Sequence, residues 1–149
     1  MDKGIFLEPG EGKAVAARGS EMLFKALYET TDGGFSFMER VLPVSNRRPQ
    51  PHRHDGPEGF YVLDGSIEFE VGGDSRVGGP GFWALAPRGV AHTFGNAGDS
   101  PARLLVIHAP AADRYFVALD ALWSTAIPPT PEEERALMKR HGLEPVVPD

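Results

Sequence analysis

Residues 51–65, PHRHDGPEGFYVLDG, constrain the fold more than any other stretch, because they set two imidazoles and a carboxylate on short strands bounded by turns. Side chains alternate along an extended strand, so His52 and His54 share one face while Arg53 points away. Asp55-Gly56-Pro57 reads as a turn. Glu58 then opens a second run, GFYVL, which ends at Asp64-Gly65, a strong two-residue hairpin signal, before the chain returns as SIEFEV. Such a turn would pair Leu63 with Ser66, Val62 with Ile67, Tyr61 with Glu68 and Phe60 with Phe69. The face of Glu58 then carries Phe60, Val62, Ile67, Phe69 and Val71, and the opposite face Tyr61, Ser66, Glu68 and Glu70. Glu58 is thus the one carboxylate on an apolar, inward face. A buried carboxylate without a partner is costly, and a bound cation is a natural partner for it.

The rest of the chain is punctuated in the same way, its 18 glycines and 14 prolines separating short apolar runs. Residues 1–20 read as an irregular arm with one strand around Lys13–Ala17, and residues 21–30 alternate like a strand that turns at Asp32-Gly33-Gly34 into FSFMERVL. Residues 42–50 form a loop leading to the histidine pair. Gly72-Gly73-Asp74, Gly78-Gly79-Pro80-Gly81, Pro87-Arg88-Gly89 and Asn96-Ala97-Gly98-Asp99 mark further turns between runs at 75–77, 82–86, 91–96 and 103–109. About eight short strands between residues 20 and 109 predict an antiparallel sandwich or barrel. Phe37, Phe60, Phe69, Phe82, Trp83 and Phe94 are its expected core. Beyond it, Tyr115, Phe116, Leu119, Leu122 and Trp123 form a helical stripe within 112–124. A second helix is signalled by Thr130 as N-cap, Pro131 at the first position, Glu133 two further on and Gly142 as the stop.

At 149 residues the chain is expected to be one domain, residues 1–149, with a barrel at about 20–110 and a helical extension at about 111–149. It has no cysteine, so disulfides, thiolate metal sites and cysteine nucleophiles are excluded, and any metal is held by nitrogen and oxygen. Fifteen basic against 21 acidic residues argue against general nucleic-acid binding. Residues 1–6 show no basic-then-apolar signal pattern, and no apolar run reaches the roughly 18 residues of a membrane span, so a cytoplasmic protein is expected.

His92, just past Pro87-Arg88-Gly89 on a strand it shares with Phe94 and Asn96, is the natural fourth ligand beside His52, His54 and Glu58. Three imidazoles and a carboxylate suit iron, manganese, nickel, cobalt, copper or zinc, and the donor set does not choose among them. With these positions in place the sequence resembles the cupin family. His52, His54, Glu58 and Gly65, with one, three and six residues between them, match its first motif. Gly81, Pro87, Gly89, His92 and Asn96, with five, one, two and three between, match its second. The resemblance implies an all-β double-stranded β-helix, or jelly-roll, barrel with two short C-terminal helices and one divalent transition metal held by the four named side chains. The helices are also similar to those of some bacterial cupins that look like quercetin dioxygenases, and cupin barrels commonly pair as homodimers.

From this follow expectations for function. The leading one is a metal-dependent dioxygenase acting on an aromatic or enolisable oxygenated small molecule, with Glu58 as the catalytic proton acceptor. The alternatives are redox-neutral cyclisation of a polyketide or isomerisation, where the metal polarises a carbonyl, and a non-catalytic binding or sensing module. His108 is expected to be a hydrogen-bonded wall histidine rather than an acid or base in the cavity. His141 is expected to complement a helix C-terminus. Arg47, Arg48 and Arg53 read as a solvated basic face, with steering of an anionic substrate as the alternative.

Overall fold

A computed structural model describes residues 3–44 and 47–146. In chain order these form β1 (Lys13–Ala17), β2 (Ser20–Ala26), α1 (Tyr28–Thr31), β3 (Ser36–Leu42), β4 (His52–His54), β5 (Glu58–Asp64), β6 (Ile67–Val71), β7 (Asp74–Gly78), β8 (Trp83–Ala86), β9 (His92–Asn96), β10 (Ala102–His108), α2 (Asp113–Trp123), α3 (Pro131–Arg140) and β11 (Leu143–Pro145). One sheet runs β1-β2-β3-β10-β5-β8 and the other β11-β4-β9-β6-β7, with every pair antiparallel. This is the expected all-β jelly-roll architecture.

Alternation builds the core. Phe60 and Val62 of β5, Leu104 and Val106 of β10, and Met38 of β3 point inward from one sheet, and Ile67, Phe69 and Phe94 meet them from the other. The ring of Phe60 lies 5.3 Å from that of Phe69 and 5.0 Å from that of Phe94, so the aromatic contacts bridge the two sheets. Each such side chain contributes roughly 1.5–3 kcal/mol through burial. Helix α2 covers one opening with Phe116 and Leu119, and Phe116 stands 5.8 Å from Phe24 of β2. Helix α3 starts as its sequence signals: Glu133 N donates to Thr130 Oγ1 at 3.1 Å, and Thr130 N donates to Glu133 Oε1 at 3.3 Å.

Several local expectations are corrected. Asp64-Gly65 does not close a ladder between β5 and β6, because both edges of β5 are already paired, with β10 and with β8, and the chain crosses to the opposite sheet. The inward face is nevertheless the one expected, since crossing preserves alternation. The strand of residues 21–30 stops at Ala26, and the short helix α1 intervenes before β3. Phe37 and Trp83 are not core residues. The inward positions of β3 are Ser36, Met38, Arg40 and Leu42, and Trp83 lies half exposed opposite Tyr61 on the outer face. Strand β11, absent from the sequence reading, pairs with the histidine strand β4.

Gly65 has φ of 82°, and a Cβ there would stand 2.8 Å from the Cα of Ala102. Gly65→Ala is therefore expected to destabilise the fold by more than about 1 kcal/mol, through both backbone strain and collision. Urea denaturation checks this, and an unchanged midpoint would contradict the stated packing.

Candidate metal centre

The two sheets contribute different halves of the site. Strands β4 and β9 are paired with His52 opposite His92, so one sheet presents His52, His54 and His92 together. In the other sheet β5 and β10 are paired with Glu58 opposite His108. The donor atoms of His52, His54, Glu58 and His92 all lie within 4.8 Å of one another, and three of the four residues are buried. Glu58 Oε1 is 3.0 Å from His54 Nε2 and 3.0 Å from His92 Nε2.

The tautomers follow from the backbone. Nδ1 of His52 lies 2.8 Å from Gln50 O, Nδ1 of His54 2.9 Å from Gly56 O, and Nδ1 of His92 2.8 Å from Val90 O. A carbonyl oxygen only accepts, so in each neutral ring Nδ1 carries the hydrogen and Nε2 turns a lone pair inward. Three lone pairs and a carboxylate converge with no donor among them. Such a set needs a cation, and holding the outer ring nitrogen on a carbonyl is how metal-ligating histidines are oriented. Spacing agrees as well. Two donors at right angles about one ion, each roughly 2.1 Å from it, stand roughly 3.0 Å apart. The residues present therefore fit a single divalent transition ion.

Electrostatics follow from the same crowding. Burial alone would raise the Glu58 carboxyl, but His108, which stands beside it and donates to it, and the close imidazoles of His54 and His92 hold it well below the ordinary carboxylate range. Burial pushes His52 down to about 4 against the attraction of Glu58, with His92 and His54 adding to the descent. Burial also works to lower His92, but its contact with Glu58 outweighs this and raises it.

His108 corrects the expectation of a wall histidine. It is the inward residue that ends the series Ala102, Leu104, Val106 on β10, and its Nε2 stands 3.1 Å from Glu58 Oε2. Its Nδ1 is buried without a hydrogen-bond partner. Nε2 is thus the protonated nitrogen and donates to Glu58, the reverse of the other three rings. The alternation along β10 carried this signal, since each second residue from Ala102 onward faces the barrel interior.

Above the centre lies a cavity of about 370 Å³ whose walls include His52, His54, Glu58 and His108, the aromatic rings of Phe94 and Phe116, and Met138 of α3. His141 follows the last turn of α3, its backbone N donating to Met138 O, but burial and the adjacent Arg140 lower its ring, the reverse of a cation held by a helix C-terminus, and the ring stands 5.8 Å from that of Tyr115 at the cavity. The basic cluster does not form a free positive face. Arg48 pairs with Glu68 at 2.8 Å, Arg53 with Glu144 at 3.3 Å, and the Arg47 guanidinium lies 5.7 Å from the ring of Trp123. No helix among the described residues is long and apolar enough to cross a membrane.

Comparison with known proteins agrees with this architecture. The Cupin domain family matches residues 38–108. No curated protein matches the chain. Among solved structures, the polyketide cyclase RemF from Streptomyces resistomycificus is similar at 23% identity with a TM-score of 0.60, over 72% of this chain and 80% of that one. A predicted oxalate decarboxylase from Thermotoga maritima is similar at 21% identity with a TM-score of 0.58, over 66% of this chain and 90% of that one. The iron(II) form of HppE is similar at 18% identity with a TM-score of 0.59, over 72% of this chain and 62% of that one. At these identities the likeness establishes the fold.

Proposed function

We propose that this chain, a cupin-superfamily protein with its cupin domain at residues 38–108, is a metal-dependent dioxygenase acting on an aromatic or enolisable oxygenated small molecule. The observation that carries the reading is the convergence of three Nε2 lone pairs and one carboxylate at the foot of a cavity lined by aromatic rings. His52, His54, Glu58 and His92 would hold the ion, which supplies Lewis acidity and, when it is iron, manganese, nickel, cobalt or copper, the redox chemistry that oxygenation needs.

The chain's own groups divide the remaining work. Glu58 is the base: its carboxylate faces the cavity and takes the proton of an enol or phenol hydroxyl. His108 Nε2 donates to Oε2 and so fixes the plane of that carboxylate. Phe116 and Met138 make the far wall apolar and keep bulk water from the substrate. A second reading, redox-neutral cyclisation, is favoured by one observation: Glu58 and His108 form a buried proton-handling pair that needs no oxidant. The likeness to a polyketide cyclase supports it as well.

Oxygen uptake decides between them. Protein stripped and reloaded separately with iron(II), manganese, nickel, copper and zinc is offered flavonols, diketones and phenols. Uptake is expected with a redox-active ion, not with zinc, and is expected to fall about 10²- to 10⁴-fold in Glu58→Gln. Absence of uptake with every ion, together with anaerobic turnover of a polyketide or diketone by the zinc form, would replace oxygenation with cyclisation.

A further inference from the structure

The cavity has a second polar wall, and its charges do not cancel. Arg18, Arg40, Tyr115 and Glu134 all line it. Arg18 sits in the β1–β2 turn at φ of 53°, a left-handed conformation uncommon for a side chain of its size, and its guanidinium is accounted for. Nη1 lies 2.5 Å from Glu134 Oε1, an oxygen that also accepts from Trp123 Nε1 at 2.8 Å.

Arg40 has no such partner. It points inward from β3 with 3% of its surface exposed. Its Nε donates to Ser20 Oγ at 2.9 Å, and that hydroxyl is itself committed to Val41 O at 2.7 Å. The guanidinium carbon stands 5.1 Å from the centroid of Phe94, a ring of the same cavity. Among the described residues no carboxylate pairs with Arg40, and its two terminal nitrogens have no acceptor. Those nitrogens are also not sealed in protein, since His108 Nδ1 is the buried polar atom left without a partner among the described residues. They open onto the cavity.

A guanidinium offers a planar fork of donors matched to a carboxylate, and a buried one left unpaired is costly. Burial draws Arg40 down to about 9, with Arg18 acting the same way and Glu58 and Tyr115 opposing, so it remains a cation at neutral pH. Burial raises Tyr115, which keeps its phenol as a hydroxyl donor beside the two arginines. We propose that Arg40, assisted by Tyr115, is an anion-binding subsite of this cavity, and that the substrate carries a carboxylate or similar oxyanion distinct from the group it presents to the metal centre. This deepens the preceding reading and rests on the cavity being the substrate site. The apolar rings of Phe94 and Phe116 then contact the part of the molecule between its two polar ends.

The test is calorimetric titration of the metal-loaded full chain with benzoate and with its neutral isostere benzamide, in wild type, Arg40→Met and Arg40→Lys. Wild type is expected to bind benzoate about tenfold or more tightly than benzamide, the scale of a charged hydrogen bond. Arg40→Met is expected to lose that preference with its metal content unchanged. Arg40→Lys keeps the charge but not the fork, and is expected to lose about threefold or more of the preference, a readout that stands if the methionine variant fails to fold. A preference that persists in Arg40→Met, or is undiminished in Arg40→Lys, assigns the carboxylate to the metal centre and overturns the subsite, as does wild type without any preference. Metal analysis of the same samples separates the two readings. A chain that takes up no metal overturns the metal-enzyme reading while leaving an Arg40-dependent preference measurable, and metal-replete protein without the preference overturns the subsite alone.

Discussion

His92→Ala is expected to leave the protein folded and almost without metal, with affinity lowered by more than about 100-fold. Loss of a group that merely orients a ligand costs about 10- to 100-fold in metal affinity, and His92 is argued to be a ligand itself. It is 3% exposed, its Nδ1 is fixed on Val90 O, and its Nε2 stands 3.0 Å from Glu58 Oε1. Its removal also takes one of the inward lone pairs from β9, the strand that seats His52 through their direct pairing. Two imidazoles and a carboxylate would remain. Metal content after dialysis against a weak chelator measures the effect, with His92→Gln as a variant that retains most of the volume. Equal metal content in wild type and both variants would remove His92 from the ligand set and with it the basis for the proposed chemistry.

That residue was legible in the sequence for a physical reason. The turn Pro87-Arg88-Gly89 and the alternation after it fix both the start of β9 and the side to which His92 points. The same holds for His52, His54 and Glu58, whose mutual placement depends on one three-residue strand, one turn and the first residue of the next strand. What alternation cannot supply is the identity of the neighbouring strand. Leu63–Ser66 pairing and a crossing between sheets put Phe60, Val62, Ile67 and Phe69 on the same inward face, so the local pattern is silent between them. The outcome was decided at a distance, by β8 and β10 occupying both edges of β5.

Arg40 and His108 were hidden by two different effects. In FSFMERVL both phases of the alternation contain apolar residues, Phe37 and Val41 in one, Met38 and Leu42 in the other, and the phase chosen by the fold buries the arginine. For His108 the phase was clear, but a histidine at a strand end signals a role only once its neighbour is known. Glu58 lies directly opposite it on β5, and that register is a long-range property. Strand β11 has three residues, one of them Pro145, and no pattern of its own. It exists because α2 and α3 return the chain to the free edge of β4, where Leu143 pairs with His54 and Pro145 with His52. The C-terminal extension thereby braces the strand that carries two of the four candidate ligands.

Metal-free protein is expected to lose stability as the pH falls from about 6.5 to about 4, with His52 as the main cause. Its folded value lies below the unfolded value of about 6.5, so between the two the unfolded chain binds more protons and acid favours unfolding. A displacement from 6.5 to about 4 corresponds to about 3 kcal/mol when the descent is complete. His92 has the opposite sign: its value is raised, so its contribution is fully present below about 6.5 and is lost as the pH rises through the folded value. Glu58 is depressed, and its contribution persists above the ordinary carboxylate range and fades only in stronger acid, as the pH falls through its folded value. In the window from about 6.5 to about 4.5 the other group acting with the same sign is His141, lowered by its partial burial and by Arg140, so the part of the decline that disappears on replacing His52 is the part His52 carries. Urea denaturation of chelator-treated protein at stepped pH should show the decline in wild type and a much flatter profile in His52→Gln. An equal slope in both would mean that another group carries the acid sensitivity. In metal-loaded protein the same protons compete with the ion for the Nε2 atoms, so metal release is expected to accompany the decline. A glutamine that makes the metal-free chain more acid-tolerant would show that the buried imidazole opposes folding in acid.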